Sequence, residues 1–234
     1  MERQLRAEMT RRANENRIDL YYPDRGPLRR ELYAKHMEFF RAGTEHRERC
    51  MLAANRVGKT EGVGGFEVAL HLTGIYPDWW DGRRFDYPIE AWAAGDTSQT
   101  VRDIIQAKLL GPVGQFGTGL IRKRCLVRTT PRQGIPDAVQ DIYVNHKSGG
   151  VSSLTLKSYD QKRVSFQGTG KHVIWLDEEP DLGIYSECLL RTARTAQDGP
   201  GLGLSEDGIV LCTFTPLLGL SDVVMSYMPG GRAP

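Results

Sequence analysis

The chain has 234 residues, 40% of them hydrophobic, so it is long enough to bury a core as one large domain or as one domain with appendages. Lysine and arginine number 31 against 29 aspartate and glutamate, a net charge of +2, so overall charge does not indicate a nucleic-acid binder and any such role must depend on local patches. The cysteines form no CxxC pair and no apolar run has the length of a membrane span, so we expect a soluble cytosolic protein without a zinc site or disulfide framework.

The N-terminal part of the sequence predicts an arm followed by a helix. Residues 2–17 are dense in arginine and glutamate, which is typical of a charged helix. We assign residues 1–27 to an N-terminal helical arm and residues 28–234 to one α/β domain. A second helix, from about 28 to 42, carries aromatic residues at helical spacing, so one of its faces must pack against the rest of the domain.

The octet from Ala53 to Thr60 has the composition of a phosphate-binding loop. It follows an apolar strand predicted over about 49–54 and precedes a helix predicted over about 59–72. Backbone N–H groups of such a loop face phosphate oxygens, Lys59 can reach the β- and γ-phosphates, and the Thr60 hydroxyl can ligate Mg²⁺. The octet matches GxxxxGK[ST] except that Ala53 replaces the first glycine. We therefore predict a nucleoside triphosphate site made by Ala54, Asn55, Arg56, Val57, Gly58, Lys59, Thr60 and Glu61.

The remainder of the sequence alternates strands with helices. The predicted elements are strands over 89–94, 141–146, 152–158, 173–176 and 208–214 and helices over 99–110 and 185–196. Glycine and proline recur over residues 111–136, to which we assign no helix or strand. A glycine turn joins the strands at 141–146 and 152–158 and predicts an antiparallel hairpin. The alternation predicts a mostly parallel sheet with helices on both faces and this hairpin added.

Two carboxylates follow the apolar strand over 173–176. Ligands of parallel sheets lie at the carboxyl ends of the strands, so we expect Asp177 and Glu178 to face the phosphate-binding loop. Asp177 can hold Mg²⁺ opposite Thr60, and Glu178 is placed to accept a proton from the attacking water or to orient it.

The last strand ends in Thr213-Phe214-Thr215-Pro216, whose two hydroxyls could sense the γ-phosphate; the alternative is an ordinary turn in which the proline stops the strand. Charge on the transferred phosphoryl group also favours an arginine from this chain or a neighbouring subunit. The candidates are Arg56, Arg102 and Arg163, of which position favours Arg56.

Four ordered segments resemble the ATPase domain of the large terminase subunit of tailed bacteriophages. They are HMEFFRAG…CMLAANRVGKTEG, AGDTSQTVRD, RVSFQGTGKHVIWLDEEP and CTFTPLLG, and the resemblance covers about residues 28–225. It implies a RecA-like P-loop NTPase of the additional-strand, catalytic-glutamate class over residues 28–234. The roles it implies are the ends of Walker A for Lys59 and Thr60, the arginine of that loop for Arg56, the Walker B aspartate for Asp177, the catalytic glutamate for Glu178, and the coupling motif for Thr213 to Pro216.

The same resemblance implies an adenine-binding segment in the helix before the first strand. A glutamine is usual there, and the corresponding position of this chain is His36. Tyr33 and Phe40 could stack on the base. A patch of positive charge without acids is expected to face DNA or the nucleotide of a neighbouring subunit, and it consists of Arg122, Lys123, Arg124, Arg128 and Arg132.

The family's activity sets the wider expectations. The resemblance implies ATP and Mg²⁺ as cofactors and double-stranded DNA, a portal protein and the small terminase subunit as partners. It implies a ring of subunits on the procapsid in the host cytoplasm, formed from chains that are monomeric in isolation and bind no membrane. The sequence ends at Pro234, just after the coupling motif, so we expect either a truncated motor domain, which we favour, or an unusual standalone ATPase, in both cases without nuclease activity. The alternatives are a helicase- or recombinase-like DNA-dependent ATPase and a nucleotide-gated ring-assembly module with negligible turnover of its own.

Overall fold

The computed structural model describes residues 4–6, 10, 15–193, 207–217 and 219–228. Its centre is a seven-stranded sheet in the order β1-β7-β6-β2-β5-β4-β3. The strands are β1 (Glu48–Leu52), β2 (Glu90–Gly95), β3 (Leu126–Pro131), β4 (Val139–Asn145), β5 (Val151–Ser158), β6 (Val173–Asp177) and β7 (Ile209–Phe214). The pairs from β1 to β5 are parallel, and β4 pairs antiparallel with both β5 and β3. The predicted mostly parallel sheet with an antiparallel hairpin is thus confirmed.

Five helices flank the sheet in the described part of the chain. They are α1 (Ala34–Ala42), α2 (Lys59–Gly65 continuing as Phe66–Thr73), α3 (Ser98–Thr100, Val101–Gln106 and Ala107–Leu110), α4 (Leu182–Thr192) and α5 (Asp222–Ser226). The first part of α2 and the middle of α3 are π-helical. Thr97 caps α3 through a reciprocal capping box with Thr100. None of the described helices is long and apolar enough to cross a membrane.

The helices form a hydrophobic core on each face of the sheet. One core contains α1, α2 and α3 with aromatic residues of the connection between α2 and β2, and the other contains α4 and α5. Successive side chains of β6 supply both cores, since Trp175 faces the first and Leu176 the second. A Cβ atom at Gly64 would lie 2.2 Å from Trp175 Nε1, so only glycine allows α2 to approach the sheet this closely.

The N-terminal arm contributes to the first core. Residues Arg17–Leu20 form a 3₁₀ turn, and Ile18 and Tyr22 are buried. The Tyr22 ring packs edge-on against Phe66 of α2, with 5.0 Å between the ring centroids. Residues 1–3, 7–9 and 11–14 of the predicted arm helix lie outside the described residues. The boundary at residue 27 stays a prediction.

One strand was not predicted, and two helices start at other residues than predicted. β3 was not predicted: it is an edge strand with two register irregularities, and all six of its residues keep some exposure without a regular alternation. The helix predicted from residue 28 begins instead with a 3₁₀ turn over Arg30–Tyr33 before α1. α4 starts at Leu182 because Asp181 caps it, accepting a hydrogen bond from the Ile184 N–H. Residues 194–196, the end predicted for this helix, lie outside the described residues.

A buried ion pair ties β1 to α2. Arg49 Nη2 lies 2.6 Å from Glu67 Oε1, and both side chains are almost fully buried. Arg49 also donates to the Phe39 carbonyl oxygen of α1 at 2.8 Å, and His71 Nε2 lies 3.1 Å from Glu67 Oε1. Burial raises the pKa of Glu67, but the charge of Arg49 and the hydrogen bond with His71 together lower it below its usual value. The network fixes α1, β1 and α2 relative to one another.

Candidate active site

The predicted phosphate-binding loop connects β1 to α2 at the carboxyl edge of the sheet. Gly58 has φ 86° and Arg56 has φ 66°, so the loop turns sharply before the helix begins at Lys59. The Gly62 N–H then donates to the Gly58 carbonyl oxygen at 2.7 Å, which closes the first turn. The loop therefore has the curvature that turns backbone N–H groups toward a bound anion.

The Lys59 ammonium group lies between this loop and the end of β7. Its Nζ is 2.8 Å from Thr215 Oγ1 and 3.3 Å from Asn55 Oδ1, and the side chain is mostly buried. Thr215 Oγ1 is also 2.9 Å from the Ala53 carbonyl oxygen. The parallel pairing of β1 with β7 places Thr215 here, although 156 positions separate it from Lys59. The structure thus brings one hydroxyl of the predicted coupling motif to the lysine of the loop.

Asp177, at the end of β6, is buried under the start of α2. Its Oδ1 accepts a hydrogen bond from Thr213 Oγ1 at 2.8 Å, and Thr213 Oγ1 in turn accepts one from Trp175 Nε1 at 2.7 Å. A hydrogen bond with Thr60 joins the carboxylate to the loop. Burial raises the pKa of Asp177 to about 7, even though the hydrogen bonds from Thr213 and Thr60 act in the opposite direction.

The oxygen atoms of Thr60 and Asp177 fit a magnesium ion. Mg²⁺ prefers hard oxygen ligands and is usually bound by one or two carboxylates together with substrate phosphates. Asp177 is buried and has no salt-bridge partner among the described residues, so a bound cation would balance the charge of its carboxylate. No group of three or more histidine, cysteine or acidic residues that could hold a metal alone occurs among the described residues. The donor set therefore fits a magnesium ion that is shared with a nucleotide.

Glu178 follows Asp177 with its backbone in the left-handed region, at φ 65°. Its N–H donates to the Thr213 carbonyl oxygen of β7 at 3.2 Å. The residue is half-buried, so part of it remains open to solvent beside Asp177. The Tyr159 hydroxyl lies close to the carbonyl oxygens of both acidic residues, a contact that the sequence analysis did not predict.

Phe40 was predicted to stack on the adenine base, but the structure places it in the hydrophobic core. It has no exposed surface and packs against Tyr22 and Phe66, so its ring cannot stack on a base without leaving the core. His36 is buried, lies 2.8 Å from the Tyr22 hydroxyl and hydrogen-bonds the backbone of Val57 in the loop. Burial lowers the pKa of His36 below its usual value.

A pocket of about 670 Å³ lies between α1 and β1 and reaches the loop. His36, Ala53, Val57 and Tyr227, which comes just after α5, are among the residues that line it. Tyr33 is half-buried beside His36, with 5.2 Å between the ring centroids, and does not line this pocket. Tyr227 was missed by the sequence analysis because it comes from the far end of the chain and belongs to no motif.

The three candidate arginines have different surroundings in the structure. Arg56 is exposed on the loop itself. Arg102 donates to the Asp103 carboxylate at 2.7 Å and to the Pro136 carbonyl oxygen at 3.1 Å, so its guanidinium is engaged with the connection between β3 and β4. Arg163 pairs with Glu187 of α4 at 3.1 Å. Arg56 is therefore the candidate that the fold itself places at the phosphate-binding loop.

The basic patch is divided between different surroundings. Arg122 is buried and pairs with Asp19 of the arm. Lys123 lies 3.4 Å from Glu15. Of the other three, Arg124 is exposed and Arg132 is buried. The guanidinium carbon of Arg128 lies 3.7 Å from the centroid of the Tyr143 ring. Two of the five predicted contact residues thus hold the arm in place.

Glu61, the last residue of the predicted nucleotide site, also contacts the arm. Its carboxylate binds Arg17, accepts from the Tyr21 hydroxyl at 2.5 Å and lies 2.6 Å from Lys108 Nζ of α3. Burial raises the pKa of Glu61, but the hydrogen bond from Lys108 and the charge of Arg17 help to bring it below its usual value. The side chain therefore joins α2 to the arm and α3 rather than lining the loop.

The first strand of this mostly parallel sheet leads through the phosphate-binding loop into a helix, and acidic residues lie at the end of a nearby strand. This arrangement defines a P-loop NTPase of the RecA-like type. The chain belongs to the terminase large subunit family. The matching family model is described as "Terminase large subunit, T4likevirus-type, N-terminal" and covers residues 50–230.

The chain is also similar to one curated terminase and to two solved terminase structures. The terminase large subunit of Salmonella phage P22 is 35% identical over 216 residues, which is 84% of this chain but 41% of that protein, so the chain spans about two fifths of its relative. The large terminase of a thermophilic bacteriophage is 15% identical over 78% of this chain and 37% of that chain, and its TM-score of 0.50 shows a likeness of fold. The ATPase domain of the Thermus phage P74-26 large terminase has a TM-score of 0.47 at 16% identity over 82% of this chain and 70% of that chain.

Proposed function

We propose that this chain is the ATP-hydrolysing motor domain of a viral terminase, which translocates double-stranded DNA into a procapsid. The proposal depends on one observation above all. Lys59 and Thr60 of the loop meet Asp177 and Thr215 at one edge of the sheet, and Glu178 lies beside them, in a chain of the terminase large subunit family. Family membership favours a terminase over a helicase or recombinase with the same core.

Each of these residues has a role in phosphoryl transfer to water. The Lys59 ammonium group binds the β- and γ-phosphates, and Thr60 and Asp177 hold Mg²⁺. When bound, Mg²⁺ neutralises the charge that develops on the phosphate oxygens. Glu178 accepts a proton from the attacking water or orients it. Arg56, or an arginine of a neighbouring subunit, stabilises the charge of the transition state.

The end of β7 can transmit the state of the bound nucleotide to the rest of the chain. Thr213 contacts Asp177 and Thr215 contacts Lys59, so both hydroxyls of the motif touch groups that bind the phosphates and the metal. Loss of the γ-phosphate changes the partners available to Lys59, and Thr215 passes that change to β7 and the chain beyond it. We therefore assign coupling of hydrolysis to movement to this pair of threonines.

The partners follow from the same proposal. A packaging motor works on double-stranded DNA at a portal protein, together with the small terminase subunit, in the host cytoplasm. Subunits in a ring place an arginine of one subunit at the nucleotide of the next. Arg124 and Arg128, which make no ion pair with the described residues of the arm, are the members of the basic patch that we assign to DNA or a neighbouring subunit.

Replacing Lys59 with alanine is expected to weaken ATP binding by about 10- to 100-fold, because a charge-assisted contact to the phosphates is lost. Titration with a fluorescent ATP analogue in the presence of Mg²⁺ measures the dissociation constant. Lys147→Ala, which removes an exposed lysine from the turn between β4 and β5, is the matched control and should bind like the unchanged chain. Equal affinity of the Lys59→Ala and Lys147→Ala variants would contradict the assignment of the loop.

A further inference from the structure

The backbone of Glu178 adopts a conformation that a glutamate does not favour. Its φ of 65° lies in the left-handed region, which is unfavourable for a residue with a Cβ atom. Such a conformation persists only where the surrounding structure holds it, and such residues cluster at functional sites. Contacts to the backbone of Asp177 and Glu178 must therefore fix the direction in which the Glu178 side chain leaves the sheet.

Tyr159, which directly follows β5, supplies these contacts. Its hydroxyl oxygen lies 3.1 Å from the Asp177 carbonyl oxygen and 3.0 Å from the Glu178 carbonyl oxygen. On the other side of the turn, the Glu178 N–H donates to the Thr213 carbonyl oxygen at 3.2 Å. The turn is thus held between Tyr159, which follows β5, and the end of β7.

The position of Tyr159 is itself fixed. It begins the 3₁₀ turn Tyr159–Gln161 directly after β5, and Ser158 and Gln161 cap that turn reciprocally. β5 pairs with β2 up to Ser158, which lies opposite Gly95. The Tyr159 ring packs toward Phe166 in the second core, with 6.4 Å between the ring centroids. A phenylalanine at this position would keep the packing and lose only the hydroxyl.

The chemistry of the contact requires a donor. Both neighbours of the hydroxyl are carbonyl oxygens, which only accept hydrogen bonds. Burial raises the pKa of Tyr159 well above its usual value, so the hydroxyl keeps its proton at any working pH. Among the described residues, no other side chain donates a hydrogen bond to these two carbonyl oxygens.

We propose that Tyr159 is a positioning residue for the hydrolytic site: its hydroxyl holds the turn at Asp177 and Glu178 so that the Glu178 carboxylate faces the attacking water. The proposal rests on the proposed function, in which Glu178 is the general base. Tyr159 itself touches neither nucleotide nor water in this role and acts only through the backbone of the turn.

The test compares Tyr159→Phe with Tyr76→Phe in the 234-residue chain. Tyr76 is also half-buried, and its hydroxyl also has two hydrogen-bond partners: it accepts from the Phe85 N–H at 2.8 Å and lies 2.9 Å from His71 Nδ1, away from the turn. We expect Tyr159→Phe to lower the kcat for ATP about 5- to 20-fold and to leave the affinity for a fluorescent ATP analogue unchanged. Tyr76→Phe should leave both values unchanged.

A second comparison places Tyr159→Phe in the Glu178→Gln background. A residue that acts through the Glu178 carboxylate has no further effect once that carboxylate is gone, so the residual turnover measured with radiolabelled ATP should not fall again. An equal fractional loss in both backgrounds, or a kcat of Tyr159→Phe equal to that of the unchanged chain, would overturn the proposal. Full turnover by Glu178→Gln alone would instead overturn the assignment of Glu178 as the general base, whereas no ATP turnover by the unchanged chain would overturn the proposed function, so the failures are distinguishable.

Discussion

Glu178→Gln is expected to lower ATP turnover by about 10²- to 10⁴-fold, the contribution of a positioned general base, while ATP still binds. Glutamine has the size of glutamate but no carboxylate to accept the proton of water. Lys59 and Thr60, which contact the phosphates and the metal in the proposed site, are unchanged. Turnover is measured by phosphate release and binding by titration with the fluorescent ATP analogue.

Glu179→Gln is the matched control for this experiment. Glu179 is half-buried, follows Glu178 directly and binds the Ser221 hydroxyl before α5 rather than the groups around the loop. We expect this variant to keep turnover within a few-fold of the unchanged chain. If Glu178→Gln kept its turnover and Glu179→Gln lost it, the general base would be Glu179 and the assignment made here would be wrong.

Arg49→Met is expected to lower the free energy of unfolding by about 3–5 kcal/mol, the usual cost of removing one partner of a buried ion pair. Methionine fills much of the volume of the arginine stem but leaves the fully buried Glu67 carboxylate without its cation. The hydrogen bond to the Phe39 carbonyl oxygen of α1 is lost as well. Urea unfolding followed by circular dichroism measures the change.

An exposed pair serves as the control for the buried one. Lys35 lies 2.7 Å from Glu38 on α1, and both side chains are largely exposed. Lys35→Met should therefore change the free energy of unfolding by less than about 0.5 kcal/mol. A loss below about 1 kcal/mol in Arg49→Met would show that the Glu67 carboxylate finds another partner or water, and that this network does not fix α1 on α2.

The parts of the site that the sequence could predict are those with a fixed local spacing. The loop at Lys59 and Thr60 has its own motif, and the pair at Asp177 follows an apolar strand. The rule that ligands lie at the carboxyl ends of parallel strands was enough to bring the two together, and the hydrogen bond between Thr60 and Asp177 agrees with it. Local pattern and sheet topology therefore predicted which motifs share an edge.

The parts that the sequence could not predict depend on contacts between distant segments. Phe40 lies on a helix whose aromatic spacing showed that one face must be buried, but not that Tyr22 of the arm would help to bury it. Arg122 reads as part of a basic patch, and only the fold shows its partner, Asp19. Tyr159 belongs to no motif, and its contact with the turn at Glu178 exists because β5 and β6 both flank β2.

The rate of ATP hydrolysis per chain tests the central claim most directly. It is measured with Mg²⁺ over a range of protein concentrations, with and without double-stranded DNA. We expect hydrolysis that requires Mg²⁺, that rises per chain as subunits associate and supply an arginine to one another, and that DNA stimulates. Tight ATP binding with no turnover at any concentration, with or without DNA, would contradict the motor and identify a nucleotide-gated assembly module.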